Sequence, residues 1–268
     1  VADPVITTFT VAADGADAID VDWTATAGGG TNLYTTTITP AAGGGGVTNS
    51  AALSARYTGL TPGQTYTVGL TATNAGGSDT ASDTATTGAS APVVGAVTVT
   101  STGETSISVA WTATNGGGVN AYTTSISPAG GTGGVSGSTA TATSYTGLNP
   151  GTTYTVTVSA DNGSGTDSND GSATTDVADP VITSFTATAD GSTAIDLAWA
   201  ATDGGGANTY TTAISPAGGA GGVSGSTATS TSYTGLTPGQ TYTVTLTATN
   251  AGGTDSDTDS ATTAAVAA

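Results

Sequence analysis

The residues of this sequence that are best suited to binding a metal ion are three aspartates. Asp255, Asp257 and Asp259 alternate along the segment "DSDTD", so that on an extended strand their carboxylates lie on one face. Calcium prefers such oxygen ligands, which makes this cluster the candidate metal site and calcium the candidate cofactor. The spacing differs from that of an EF-hand loop, and we favour the alternative of an acidic strand edge that discourages pairing with other chains.

A second group of carboxylates could in principle provide the acid and the base of a hydrolase. Asp20 and Asp22 lie two residues apart, and Asp196 takes the position of Asp20 in a later copy of the same segment. Hydrolysis by two carboxylates requires a carboxyl with a raised pKa in a cleft. The alternating pattern around these residues instead places them on the water-facing side of a strand. We therefore predict no catalytic residue and no enzyme.

The composition of the 268-residue chain excludes most other chemistry. The chain has no Cys, no Met, no His and one basic residue, Arg56, and its formal net charge is -18. Imidazole bases, thiolates and the usual nitrogen and sulfur ligands of zinc are therefore missing. Nucleic acids and anionic membranes require a basic surface, which this chain lacks. No apolar run is long enough for membrane insertion.

A strict internal repeat organises the chain. Trp23, Trp111 and Trp199 are each 88 residues apart, and all nine tyrosines keep the same period. The segment "YTGLTPGQTYTV" at 57–68 recurs unchanged at 233–244 and with two changes at 145–156. A period of this length predicts three independently folding units, residues 1–88, 89–176 and 177–268.

Within each unit the hydrophobic pattern has a period of two. Ile19, Val21 and Trp23 alternate with Asp20 and Asp22. The later segment "TYTVGLTATN" alternates in the same way, with β-branched threonine on the polar side, where it suits an exposed strand face. No segment has the pattern of an amphipathic helix. The sequence therefore predicts an all-β chain of antiparallel two-sheet sandwiches.

These residues resemble the fibronectin type III family, in the form found in bacterial and viral surface proteins. Each unit has an early proline, a tryptophan that ends a strand, and the motif L-x-P-G-x-x-Y followed by A-x-N and glycine. The resemblance implies an immunoglobulin-like sandwich of seven strands in each of three tandem units. It also implies three separate cores around the tryptophans and a tyrosine corner, in which a buried hydroxyl bonds to the upstream backbone. In the first copy the motif residues are Pro4, Trp23, Leu60, Pro62, Gly63, Tyr66, Ala72, Asn74 and Gly76; the later corner tyrosines are Tyr154 and Tyr242.

The segments between units are short and contain proline, which limits bending. "VADPVIT" at Val1 is repeated at Val177, so we expect a longer array or end-to-end stacking of copies. A sulfur-free chain suits a protein that is made in bulk and lost to the outside of the cell. We expect a structural building block of an extracellular filament, fibre or cell-surface stalk, with the virion surface as the alternative location. The expected partners are copies of the chain, end to end or side by side.

A recognition module is the alternative function. In that case exposed glycine-rich loops such as "GGGTN" (Gly28 to Asn32) bind a surface glycan or receptor, as in an adhesin or a phage appendage. The threonine-rich strands could also face a glycan or ice, or carry O-linked sugars, although strand propensity explains them. The one N-glycosylation sequon, Asn162-Gly163-Ser164, is absent from the other units, and we interpret it as a chance occurrence.

Overall fold

The chain folds into strands that follow the period-two pattern. A computed structural model describes residues 1–266, and the 21 strands of this part fall into three consecutive sets of seven. The first set is β1 (Val5–Asp14), β2 (Ala18–Thr26), β3 (Leu33–Thr39), β4 (Gly44–Gly45), β5 (Ser54–Thr58), β6 (Thr65–Thr73) and β7 (Ser78–Thr86). The second set is β8 (Val93–Gly103), β9 (Ser106–Thr114), β10 (Ala121–Ser127), β11 (Thr132–Gly133), β12 (Ala142–Thr146), β13 (Thr153–Asp161) and β14 (Thr166–Thr174). The third set is β15 (Val181–Asp190), β16 (Ala194–Thr202), β17 (Thr209–Ser215), β18 (Ala220–Gly221), β19 (Ser230–Thr234), β20 (Thr241–Thr249) and β21 (Thr254–Thr262).

Each set of strands, called a unit below, forms two antiparallel sheets. In the first unit the four-stranded sheet has the order β1-β2-β5-β4 and the three-stranded sheet the order β3-β6-β7. The second unit repeats this arrangement with β8-β9-β12-β11 and β10-β13-β14, and the third with β15-β16-β19-β18 and β17-β20-β21. Residues 1–266 contain no helix that is long and apolar enough to cross a membrane. The architecture is all-β, with sheet packed on sheet.

The core of each unit lies between its two sheets. Val68 and Leu70 of β6 are 0% and 1% exposed, while the threonines at alternate positions around them, such as Thr67 and Thr71, lie on the other face of the strand. Trp23 packs against Tyr34 with ring centroids 5.5 Å apart, and the same pair recurs in the other units. The indole nitrogen of each tryptophan is buried without a hydrogen-bond partner in the described part of the chain. Apolar packing therefore holds these rings in place.

The second unit differs from the other two in the packing around its tryptophan. Phe9 is paired with Trp23 across β1 and β2, and Phe185 takes the same position in the third unit. The equivalent residue of the second unit is Val97, which pairs with Trp111 next to a longer irregularity in β8. The first and third units therefore form the better matched pair for comparing substitutions.

Each unit has a leading end, where the chain enters, and a trailing end, where it leaves. At the leading end of the first unit the Ala2 amide donates to the Gly28 carbonyl in the β2–β3 loop at 2.9 Å. At the trailing end the Thr87 amide donates to the Gln64 carbonyl in the β5–β6 turn at 3.1 Å. A nine-residue strand is roughly 30 Å long, so the two ends lie that far apart. Successive units therefore follow one another end to end.

Candidate functional site

The repeated turn between β5 and β6 is built around a buried tyrosine. Pro62 and Gly63 reverse the chain, and Leu60, 3% exposed, anchors it in the core. Tyr66 is 1% exposed, and its hydroxyl accepts the Thr61 amide at 2.9 Å. The other units place Tyr154 and Tyr242 in the same way, with the amides of Asn149 and Thr237 as donors at 3.0 Å.

We expect Tyr66→Phe to destabilise the first unit by about 1 kcal/mol or more, because the Thr61 amide loses its acceptor in a partly buried site. Urea denaturation should show a lower midpoint with an unchanged m-value. Tyr242→Phe should have the same effect on the third unit, which provides an internal repeat of the measurement. Unchanged midpoints in both variants would show that the corner bond contributes nothing to stability.

A buried threonine fastens the end of the last strand to the same turn. The Thr87 side chain donates to the Thr61 carbonyl at 2.7 Å and accepts the Gln64 amide at 3.1 Å. Thr87 is only 2% exposed. Sequence reasoning missed this contact, although the signal was present as a threonine pair in every unit, of which the first ends the last strand and the second follows it directly. The equivalents are Thr175 and Thr263.

The segments between units are bonded to both of the units that they connect. At the first junction the Gly88 amide donates to the Gly15 carbonyl of the first unit at 2.8 Å. Two residues later, the Ser90 amide donates to the Gly116 carbonyl of the second unit at 2.8 Å. The second junction repeats this pattern, with Asp176 bonded to Gly103 and Ala178 to Gly204. These bonds restrict the linkers, which therefore differ from flexible tethers.

The turn of one unit touches the glycine-rich loop of the next, and we call this contact the joint. A Cβ atom placed on Gly117 would lie 2.6 Å from the Gly63 amide nitrogen and would also overlap the Pro62 carbonyl. The second joint brings Pro150 and Gly151 against Gly205 in the same manner. All four glycines have positive φ, so each is required both by its backbone conformation and by this close approach.

The asparagine of the sequon has a structural task. The Asn162 side-chain amide donates to the Ser90 carbonyl at 2.6 Å and to the Asn115 carbonyl at 2.8 Å. It thereby ties the β13–β14 turn to the incoming chain and to the β9–β10 loop. The folded unit keeps this nitrogen engaged, which favours the interpretation of the sequon as a chance occurrence. Asn74 and Asn250 make the equivalent bonds in the other units.

The candidate calcium ligands lie on the inward-facing side of β21 and do not act together. Asp255 accepts the Ile182 amide at 2.7 Å, and Asp259 accepts the Ala187 amide at 2.8 Å. Asp257 is exposed and accepts the amide of its neighbour Thr258. Within residues 1–266 no group of three or more acidic, His or Cys side chains is arranged to hold a metal ion. Asp255 and Asp259 instead bond the last strand of the unit to its first.

We expect Asp255→Ala to destabilise the third unit by about 1–2 kcal/mol more than Asp257→Ala, because the lost bond has a charged acceptor and joins strands 73 residues apart. Urea denaturation of the two variants gives the comparison, since each removes one carboxylate from the same strand. Equal midpoints would contradict the structural role of Asp255. Calorimetric titration with calcium should detect no heat; a saturable heat that Asp255→Ala abolishes would restore the metal site.

The carboxylates considered for catalysis lie on the outer face of the four-stranded sheets. Asp20 pairs with Arg56 at 2.8 Å, and Asp14 contacts the same guanidinium. The hydrogen bond that Arg56 donates to the Asp14 carboxylate is the main cause that raises the pKa of Arg56, which keeps its charge. Asp22 and Asp196 are exposed. This arrangement provides ion pairs on an open surface rather than a cleft.

The outer faces of the three-stranded sheets are covered with hydroxyl groups. In the third unit Thr243 and Ser260 lie 2.9 Å apart across β20 and β21, and Thr241 and Thr262 lie 2.8 Å apart. Such cross-strand pairs stabilise a sheet by themselves. Strand packing therefore accounts for these threonines without a ligand.

Two hollows lie beside the loops. A groove of about 580 Å³ borders the β9–β10 loop and is lined by Asn115, Val119, Asn120 and Tyr122 among others. A crevice of about 740 Å³ separates the Gly103–Ser106 turn of the second unit from the β20–β21 turn of the third. The second joint is therefore closed where Pro150 and Gly151 contact Gly205 and open at this crevice.

These sheets, corners and joints define a protein of tandem antiparallel β-sandwich units. The fibronectin type III domain model matches residues 90–175 and 180–264, together more than half of the chain, and the chain belongs to that family. The crystal structure of the chicken CNTN1 FN1-FN3 domains is similar with a TM-score of 0.42 and 16% identity, over 97% of this chain and 99% of that one. No curated protein matches the chain.

A second family model, the T-Q ester bond containing domain, matches residues 34–125. This span begins in β3 and ends in β10, so that it covers parts of two units. Its one glutamine, Gln64, is exposed, and its side-chain amide donates to the Thr65 carbonyl at 2.9 Å. In the part of the chain that the structure describes, no threonine hydroxyl is hydrogen-bonded to the Gln64 side chain. The structure therefore does not bring together the pair that a Thr–Gln ester requires.

Proposed function

We propose that this protein is a non-enzymatic structural element, made of three fibronectin type III domains, that serves as a building block of an extracellular filament or surface stalk. The first unit, residues 1–88, is assigned to the same family as the two units that the family model matches, because it has the same sheet order, corner tyrosine and linker bonds. The acidic chain repels its neighbours, which keeps it apart from them until specific contacts form.

The observation that carries this proposal is the joint. At both junctions a Pro-Gly turn lies directly against the backbone of the next glycine-rich loop, while the linker is bonded on either side. An interface between domains of one chain normally allows relative motion unless it is large and apolar. Here short, bonded linkers and backbone-to-backbone contact limit that motion. A repeated stiff junction is what a protein needs to span a distance.

A recognition module is the second candidate, and one observation favours it. In the first unit a Cβ atom placed on Gly29 would meet nothing within 4 Å, so the tip of the loop from Gly28 to Asn32 is open to a glycan or receptor. The equivalent glycines of the other units, Gly117 and Gly205, are covered by the preceding turn. A binding site used once in each unit would be blocked in two of the three, which favours the structural function.

Small-angle X-ray scattering of the dilute chain tests the structural proposal. Three units of roughly 30 Å each predict a rod with a maximum dimension on the order of 100 Å and little spread in length. A broad distribution of bent shapes would contradict it. Glycan arrays should show no binding; selective binding that is lost when the Gly28–Asn32 loop is exchanged would favour the recognition module. Immunogold labelling of producing cells tests the extracellular location.

A further inference from the structure

Among the described residues, the glycine-rich loop of the first unit has the form of one half of a joint, and no Pro-Gly turn is docked on it. Gly28 and Gly29 have φ values of 55° and 89°, close to the 56° and 83° of Gly116 and Gly117, which take part in the first joint. The loop therefore has the shape that accepts a Pro-Gly turn. In the described residues nothing lies within 4 Å of a Cβ atom placed on Gly29.

The third unit carries the other half. Gly239 has a φ of 70°, compared with 65° at Gly63, and the Tyr242 hydroxyl holds the turn as in the other units. The nearest neighbour of a Cβ atom on Gly239 is Ala265, at 3.9 Å. Both halves of the joint are therefore already folded into the shapes that fit each other, so that docking requires little reordering of either one.

We propose that these two surfaces bind each other between copies of this chain, so that the Pro238-Gly239 turn of one copy docks on the Gly28–Gly30 loop of the next. This inference rests on the proposed structural function and names the contact through which copies assemble. The two joints inside the chain show that this turn and this loop fit together. Because the two surfaces differ, each copy keeps one free surface of each kind, and growth leads to open filaments.

Few charges lie at this contact, although each copy has a net charge of -18. Neither the turn nor the loop contains a charged residue. The linker of the second joint carries two carboxylates, Asp176 and Asp179. At a contact between copies, the equivalent positions are Ala264 of one copy and Asp3 of the next, so only one carboxylate is present. The contact between copies would therefore bring together fewer charges than a joint that is formed within the chain.

One segment must move for the contact to form. In the 88-residue period, Ala265 and Val1 are both equivalent to Val177 of the second joint. At a contact between copies, Ala265 of one copy and Val1 of the next would therefore compete for the same place. Val1 and Ala2 are held, because the Ala2 amide donates to Gly28. Ala265 only lies beside Gly239 and is exposed, so it is the segment that moves aside. Removal of residues 265–268 should therefore strengthen the association.

Sedimentation velocity and scattering over a concentration series test the proposal. Inside the chain the linker supplies an effective concentration of about millimolar, and a joint that is closed there has a Kd below that value, so association between copies should appear at or below that chain concentration. The particle should lengthen at a constant cross-section. An increase in cross-section, or a monomer throughout the series, would overturn the proposal. The rod shape is measured on the dilute monomer and tests the proposed function. The concentration series tests only the association between copies, so the two proposals can fail separately.

Three variants identify the surfaces. Gly29→Asn places a side chain in the open loop, and Gly239→Asn does so in the turn; both should abolish growth of the particle. Gly225→Asn is the control, since Gly225 has a φ of 58°, a Cβ atom placed there would meet nothing within 4 Å, and the residue lies between β18 and β19, outside the bonds and contacts of the joints. Asparagine tolerates this backbone region, and unchanged melting of all three variants verifies folding. Growth that persists in Gly29→Asn and Gly239→Asn would overturn the assignment.

Discussion

Replacement of Trp23 by alanine is expected to open the first unit while the other two stay folded. Trp23 is 2% exposed and packs against Tyr34 in a core that it shares with neither of the other tryptophans. Truncation of a buried tryptophan costs about 3–5 kcal/mol, which is a large part of the 5–15 kcal/mol that typical domains have. Loss of the unpaired indole N–H recovers only part of that cost, because one buried donor accounts for about 1–3 kcal/mol.

Tryptic cleavage at the single basic residue, Arg56, measures the opening of the first unit. Arg56 lies in β5, which is paired with β2 on one side and with β4 on the other, so trypsin can cut the chain only after the first unit opens. Trp23→Ala should therefore be cut rapidly at Arg56, while the fluorescence of Trp111 and Trp199 still reports folded cores. Trp199→Ala is the matched control, because it damages the third unit equally and should leave Arg56 protected. Rapid cleavage in Trp199→Ala would show that the units unfold together.

Gly117→Asn is expected to loosen the first joint without unfolding either unit. Asparagine accepts the positive φ of this position, but its Cβ atom would lie 2.6 Å from the Gly63 amide nitrogen, so the two units must separate. Gly29→Asn is the matched control, because this residue has the same backbone conformation and no neighbour. Any difference between the two variants in a dilute solution therefore reports the joint.

Distances between spin labels measure this effect. The chain has no cysteine, so labels attached at Ser82→Cys and Ser172→Cys, two exposed positions in neighbouring units, are the only ones present. The parent and Gly29→Asn should give a narrow distance distribution, and Gly117→Asn a broad one. The unfolding midpoints of the units should change by less than about 0.5 kcal/mol, as for surface substitutions. A narrow distribution in Gly117→Asn would show that the bonded linker alone holds the joint.

The properties that the sequence predicts well are those that depend on neighbouring residues. Alternation such as that of Ile19, Val21 and Trp23 predicts a strand and its buried face, because successive side chains point to opposite sides. The Pro62-Gly63 pair predicts the turn for an equally local reason. The resemblance carried by these motifs implies the tyrosine corner, and the structure shows the bond from the Thr61 amide to Tyr66.

The properties that the sequence leaves open depend on which distant residues the packed sheets bring together. Asp255 looks like a metal ligand within "DSDTD", and only the packing of β21 against β15 gives it the Ile182 amide, 73 residues away. Thr87 is one threonine among many until the sandwich closes around it.

By itself, the sequence determined the 88-residue period, the strands and the Pro-Gly turns, because these follow from local side-chain alternation and turn chemistry, whereas the tyrosine corner was implied by the family resemblance. Only the tertiary structure decided that the glycine-rich loop receives the turn of the preceding unit. That contact joins Gly63 to Gly117 through backbone atoms, and neither residue has a side chain that could have identified its partner in the sequence.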